Sequence, residues 1–233
     1  MLDGLGNPLA NVNVTMNING VFYTRMTNGE GIVSLNINLD PGKYILTLTN
    51  PNDGLSQSSI ITVLSTIIAN DLVKYYRNDS QFYAKLVDGL GNPLANVNVT
   101  MNINGVFYTR MTNGEGIVRL NINLDPGKYI LTLTNQFGFS SSYNIVVLPT
   151  LSAKDLYMNY KDGSQFKVNL LDGRGKPYSN QKVVFNINGV FYDRFTDGNG
   201  VARLNINLMP GKYIISSSYG GLTISNHVVV NSF

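Results

Sequence analysis

One heptapeptide, Asn-Ile-Asn-Gly-Val-Phe-Tyr, occurs three times in the chain, at Asn17 to Tyr23, Asn102 to Tyr108 and Asn186 to Tyr192. Aligning the chain on it brings Asp3, Asp88 and Asp172 into register, a period of 85 and then 84 residues. Solenoid and propeller repeats run ~20 to 50 residues, too few for one unit to bury its own core, whereas ~84 residues can close a small domain unaided. The repeat is therefore a domain. From Asp3 to Asn50 and from Asp88 to Asn135 the first two copies differ only at Ser34 against Arg119; the third keeps the pattern with many substitutions.

Within each copy the hydrophobic period is two. In the second, Val97, Val99, Met101 and Ile103 alternate with Asn98, Thr100 and Asn102, and Val118, Leu120, Ile122 and Leu124 form a second inward row. Asn104-Gly105 carries the signature of a type I′ hairpin, and Asn113-Gly-Glu-Gly and Asp125-Pro-Gly mark further turns. Runs at Asp71 to Tyr76, Gln81 to Val87, Val106 to Thr112, Tyr129 to Thr134 and Tyr143 to Leu148 bring the count to seven strands without a helical period. The third copy repeats this order, so the expectation is all-β, tandem immunoglobulin-like β-sandwiches of about seven strands each. The predicted domains are residues 1–68, 69–152 and 153–233. Met1 aligns with Leu86, so the first copy lacks the two opening strands. Its start reads first as a piece of a longer tandem array. The sharper alternative is a strand-deficient edge that takes a strand from a neighbouring molecule, giving strand-exchange self-association.

Composition narrows the function. Charged residues are only 13% of the chain and the 17 Lys and Arg never cluster, so the +3 net charge leaves no footprint for nucleic acid. There is no cysteine for a disulfide, a thiolate metal site or a nucleophile. No apolar run reaches the ~18 residues of a membrane span, and no secretory leader opens the chain, so any export signal or anchor is expected outside it.

The order Asp-Gly-x-Gly-x-Pro (Asp172 to Pro177), an alternating strand, Thr-Asp-Gly-Asn-Gly (Thr196 to Gly200), then Pro-Gly-Lys-Tyr (Pro210 to Tyr213) resembles the Ig-like repeats of microbial cell-surface adhesins of the invasin and intimin sort. It is most similar to the tandem repeats of adhesin-like proteins of methanogenic archaea. The same order resembles the transthyretin-like or Cna-B-type domains of surface pilins, which leaves the sandwich topology open at this point. Either resemblance implies an extracellular, cell-surface location and a role in spacing and adhesion.

Residues for catalysis are sparse. The single histidine, His227, has no counterpart in the other copies, and the only glutamates, Glu30 and Glu115, sit in Asn-Gly-Glu-Gly turns. No catalytic, cofactor-binding or metal residue is assigned. The Asp172-Gly-Arg-Gly and Asp197-Gly-Asn-Gly turns lack the alternating carboxylates of a calcium loop. Lys85 and Lys167, considered for a Lys–Asn crosslink, fall on the solvent phase of their strands. Sequons stand at Asn13, Asn78 and Asn98. The Tyr-x-Arg of Tyr23 and Arg25, Tyr108 and Arg110, and Tyr192 and Arg194 is expected to place Tyr in the core and Arg outside. The reading is a non-enzymatic stalk segment of a surface adhesin, projecting a binding region away from the cell. The alternatives are domains that themselves bind a surface glycan or protein of a host or neighbouring cell, and an accessory sandwich of a secreted enzyme.

Overall fold

The computed structural model describes residues 1–232 and contains twenty strands and no helix among them. It divides into two compact units, Met1–Thr66 and the chain from Ile67 onward.

The second unit holds two complete sandwiches. In the first of these, β5 (Ile67–Ala69), β7 (Gln81–Leu86) and β10 (Ile117–Asn121) form a three-stranded sheet of order β10-β7-β5. Facing it is a five-stranded sheet of order β6-β12-β11-β8-β9, built from β6 (Leu72–Tyr75), β8 (Asn98–Ile103), β9 (Val106–Met111), β11 (Gly127–Thr134) and β12 (Ser140–Leu148). The next sandwich repeats this strand for strand with β13 (Leu151–Ala153), β14 (Leu156–Asn159), β15 (Gln165–Leu170), β16 (Lys182–Ile187), β17 (Val190–Phe195), β18 (Val201–Asn205), β19 (Gly211–Tyr219) and β20 (Leu222–Asn231). The seven expected strands are present, preceded by one short strand more.

That extra strand arises because the opening segment changes sheets. Ile67 to Ala69 pairs antiparallel with β7, and after Asn70-Asp71 the chain pairs parallel with β12, Leu72 opposite Ile145. Asp71 holds the crossing, its carboxylate accepting from the Asn144 backbone N–H at 2.7 Å and the Asn144 side-chain amide at 2.9 Å. Asp155 does the same with the His227 N–H at 2.9 Å and the Asn226 amide at 3.1 Å. A first strand shared between sheets and parallel to the last is the immunoglobulin arrangement. Tyr129, at the start of β11, donates its hydroxyl to the Asp125 carbonyl at 2.8 Å, and Tyr213 repeats this on Met209 at 2.8 Å; both are the tyrosine corner of that fold. The immunoglobulin topology is therefore the one present.

Between the sheets lies one core per sandwich. Phe82, Ala84 and Leu86 from β7 meet Val99, Met101, Ile103, Leu131 and Leu133 from the facing sheet, all at most 2% exposed. In both complete sandwiches the predicted inward rows are inward.

The first unit is a single antiparallel sheet of order β2-β1-β3-β4, formed by β1 (Asn13–Ile18), β2 (Val21–Met26), β3 (Gly42–Thr49) and β4 (Ser56–Val63). Its opening strands are missing, as expected, and the consequence extends further along the chain. Ile32 to Asn36 matches β10 in all but one residue yet forms no strand, and Ile37 is 40% exposed where Ile122 is 3% exposed. The same letters lose their secondary structure when the partner strand, the counterpart of β7, is absent.

Candidate functional site

The three turn motifs are local hydrogen-bond devices. Asp88 accepts from the N–H groups of Leu90 and Asn92 at 2.9 and 2.8 Å and from the Asn92 amide at 3.1 Å. Those bonds hold its carboxyl below the usual carboxylate range, the Asn92 side chain contributing most. Asp172 repeats the turn on Arg174 and Lys176, and Asp197 on Asn199 and Val201. In each turn the loop's own N–H groups occupy one carboxylate oxygen, Oδ1. Among the described residues no group of three or more His, Asp or Glu comes together.

Beside each turn sits a buried threonine that the sequence reading did not single out. Thr112 donates to the Leu94 carbonyl at 2.6 Å and accepts the Val97 N–H at 3.0 Å, tying the chain before β8 to the end of β9. Thr27 and Thr196 repeat it. Gly116, at φ +74°, completes the clamp: a Cβ there would lie 2.5 Å from the Leu86 carbonyl oxygen, which only glycine allows. The recurrence of Thr two positions before the first Gly of Thr-Asn/Asp-Gly-x-Gly was the available signal.

His227 is exposed and Glu30 and Glu115 lie in exposed turns. Lys85 and Lys167 face solvent. Tyr108 is half-buried and packs on the core, with the Arg110 guanidinium 5.5 Å over its ring; Arg194 sits 5.8 Å over Tyr192. Asn13 and Asn98 are exposed, whereas the Asn78 amide is occupied, donating to the Gly173 carbonyl at 2.6 Å. One buried ionisable group was missed. Lys74 on β6 is 5% exposed and donates to the carbonyls of Ser80 at 3.0 Å and Ile122 at 2.9 Å. Burial lowers its pKa, opposed by the nearby Asp79 charge. Met158 is its counterpart in the next sandwich.

The surface best suited to a ligand is the outer face of the five-stranded sheet. There Phe107 on β9 stands beside Asn102 on β8, next to Thr132 on β11 and Ser142 on β12. Thr132 and Ser142 share a hydrogen bond at 3.0 Å, and Thr134 and Ser140 one at 2.7 Å. Phe22, Phe107 and Phe191 are 70, 70 and 68% exposed on equivalent edge strands. An aromatic edge beside uncharged hydroxyl and amide rows offers a stacking surface and neutral donors and acceptors.

Fold, topology and turn chemistry together define a protein of tandem immunoglobulin-like β-sandwiches. No family model and no curated protein matches the chain. Among solved structures it is similar to the I9–I11 tandem of titin at 16% identity and a TM-score of 0.34, covering 96% of this chain and 90% of that one. Invasin, a bacterial integrin-binding protein, is similar over 72% of this chain and 38% of its own, at 20% identity and a TM-score of 0.32. The SGBP-B protein of the Bacteroides ovatus mixed-linkage glucan utilization locus, in complex with a heptasaccharide, is similar over 94% of this chain, at 15% identity and a TM-score of 0.27. The chain spans 60% of that last protein's length. These likenesses transfer no ligand or activity.

Proposed function

We propose that the chain is a mechanical spacer, a stalk segment of an extracellular surface adhesin that holds a binding region away from the cell. One observation carries this reading. In each complete sandwich the first strand of the larger sheet runs parallel to the last, β6 along β12 over Leu72 to Tyr75 and β14 along β20 over Leu156 to Asn159. Tension on the two chain ends therefore draws paired neighbours past each other in shear, so several ladder hydrogen bonds must break together instead of unzipping singly. Tandem repetition multiplies reach without requiring chemistry at any residue. The domain division 1–68, 69–152 and 153–233 belongs to the same proposal.

A second reading has its own observation, the exposed Phe22, Phe107 and Phe191 beside uncharged rows, which suit a neutral glycan. Arrays of glycans and matrix proteins separate the two. A spacer gives no saturable signal, whereas saturable binding abolished by Phe107→Ser and Phe191→Ser together would replace the spacer reading with the binder.

A further inference from the structure

The Asp-Gly-x-Gly turn appears in both complete sandwiches, but its glycines meet different surroundings. In the first of them, Gly89 and Gly91 have nothing within 4 Å of an added Cβ. In the second, a Cβ on Gly175 would lie 2.3 Å from the ring of Tyr75, and one on Gly173 would lie 3.2 Å from the Arg77 carbonyl oxygen. Both of those partners belong to the preceding sandwich.

The intruding element is the turn that follows β6. Arg77 takes a left-handed φ of +59°, and the Asn78 N–H closes the turn on the Tyr75 carbonyl at 3.1 Å. This presents Tyr75 to Gly175 and the Asn78 amide to the Gly173 carbonyl, the 2.6 Å bond described above. The Arg77 guanidinium reaches the β19–β20 hairpin, within 3.4 Å of where side chains would start on Gly220 and Gly221. At the corresponding hairpin of the earlier sandwich the chain reads Gln136-Phe137-Gly138, with Phe137 74% exposed. Four glycines on two loops therefore leave space that one turn of the neighbouring repeat occupies.

We infer that this is a plug-and-socket joint, an interaction surface on the Asp172 to Gly175 loop and the Gly220-Gly221 hairpin whose partner is the Tyr75 to Asn78 turn of the sandwich before it. It fixes the two sandwiches as one body, where short-linked domains with small interfaces otherwise move independently. The joint also competes with modification: a glycan on the sequon residue Asn78 would replace one of the two amide hydrogens and place a sugar against the Gly173 carbonyl that this nitrogen binds. The inference stands whether or not the chain serves as a spacer.

Because the chain has no cysteine, Thr100→Cys and Lys212→Cys, at exposed positions on the two sandwiches, allow spin labels to report one inter-sandwich distance in the full chain. A single narrow distribution is expected. Gly175→Ala and, without disturbing any core residue, Asn78→Ala should each widen it by about twofold, because a released joint returns to independent motion. Gly91→Ala imposes the same backbone strain at φ +87° without a neighbour to strike, and should leave it unchanged. A broad distribution in the parent, or one that stays narrow in both the Gly175 and Asn78 variants, would overturn the joint.

Discussion

Phe185 on β16 lies directly opposite Ser217 on β19, where the preceding sandwich pairs Met101 with Leu133. Both members of each pair are fully buried, so a larger residue on one strand is matched by a smaller one on the other. The exchange leaves the Ser217 hydroxyl buried without a hydrogen-bond partner among the described residues. Ser217→Ala should therefore stabilise the last sandwich by about 1 kcal/mol, by removing an unsatisfied buried hydroxyl. Ser217→Leu alone should cost about 1–3 kcal/mol by overpacking against Phe185, and Phe185→Met should recover most of that loss. Denaturant unfolding measures Ser217→Ala, and in Ser217→Leu, Phe185→Met and the double variant it checks the coupling; additive effects would mean that the two residues are not compensating.

Lys74 buries an ammonium where Met158 fills this position in the next sandwich. Losing the buried ammonium's desolvation cost offsets losing its bonds to the Ser80 and Ile122 carbonyls, so Lys74→Met should hold stability at neutral pH. The sign with pH follows from the lowered pKa. The unfolded chain binds the proton more tightly, so wild-type stability rises as pH passes from the folded pKa towards the ordinary lysine value. The stability of Lys74→Met relative to wild type should fall over that window. Parallel stability curves for the two proteins from neutral to alkaline pH would contradict this account of Lys74.

Seven aspartates, Asp3, Asp71, Asp88, Asp155, Asp162, Asp172 and Asp197, have carboxyls held below the ordinary value, chiefly by backbone N–H and side-chain hydrogen bonds. Their contribution is complete above the ordinary carboxylate pKa of ~4 and is lost as pH falls through the lower folded values. Asn113 already fills the Asp197 position using its amide oxygen, accepting from Glu115 and Ile117 at 3.0 and 2.8 Å. Asp88→Asn should accordingly keep neutral stability and flatten the acid limb. A thermal melt series from pH 6 to pH 2 with an unchanged acid limb would count against the carboxylate's role.

Ile32 to Asn36 should become ordered when its missing neighbour is supplied. In the complete sandwich the matching strand pairs with β7, Leu120 opposite Phe82 and Arg119 opposite Tyr83. A peptide spanning Ile67 to Asp88, added to the full chain, is expected to slow amide exchange at Ile32 to Asn36 and to raise the stability of the first unit. Unchanged exchange at saturating peptide would show that sequence identity with the second copy does not make the first an acceptor.

The strand phases were legible because they depend on neighbours two residues apart. Met101, Ile103, Leu131 and Leu133 are buried as the alternation required, and Asn104-Gly105 turns at φ +53° and +78°, as a type I′ hairpin needs. Lys74 was within reach of the same logic: Leu72, Lys74 and Tyr76 share a phase, and Leu72 and Tyr76 pack on the core. What could not be read locally depends on distant partners. The switch between β5 and β6 is fixed by Asn144, 73 residues from Asp71, and the use of Gly175 by a tyrosine in another repeat. Ile32 to Asn36 and β10 show the limit from the other side, since near-identical sequence takes two conformations according to what lies beside it.

The mechanical account rests on parallel pairing of first and last strands, and pulling single molecules by their ends tests it most directly. Two separated high-force ruptures are expected, one per complete sandwich. Each should release on the order of 250–300 Å, for about 80 residues at 3.3–3.6 Å each, with no comparable rupture from the first unit. Extension without resolved ruptures, or ruptures unaffected by Val146→Pro, which removes a donor from β12 within the stretch paired with β6, would contradict it.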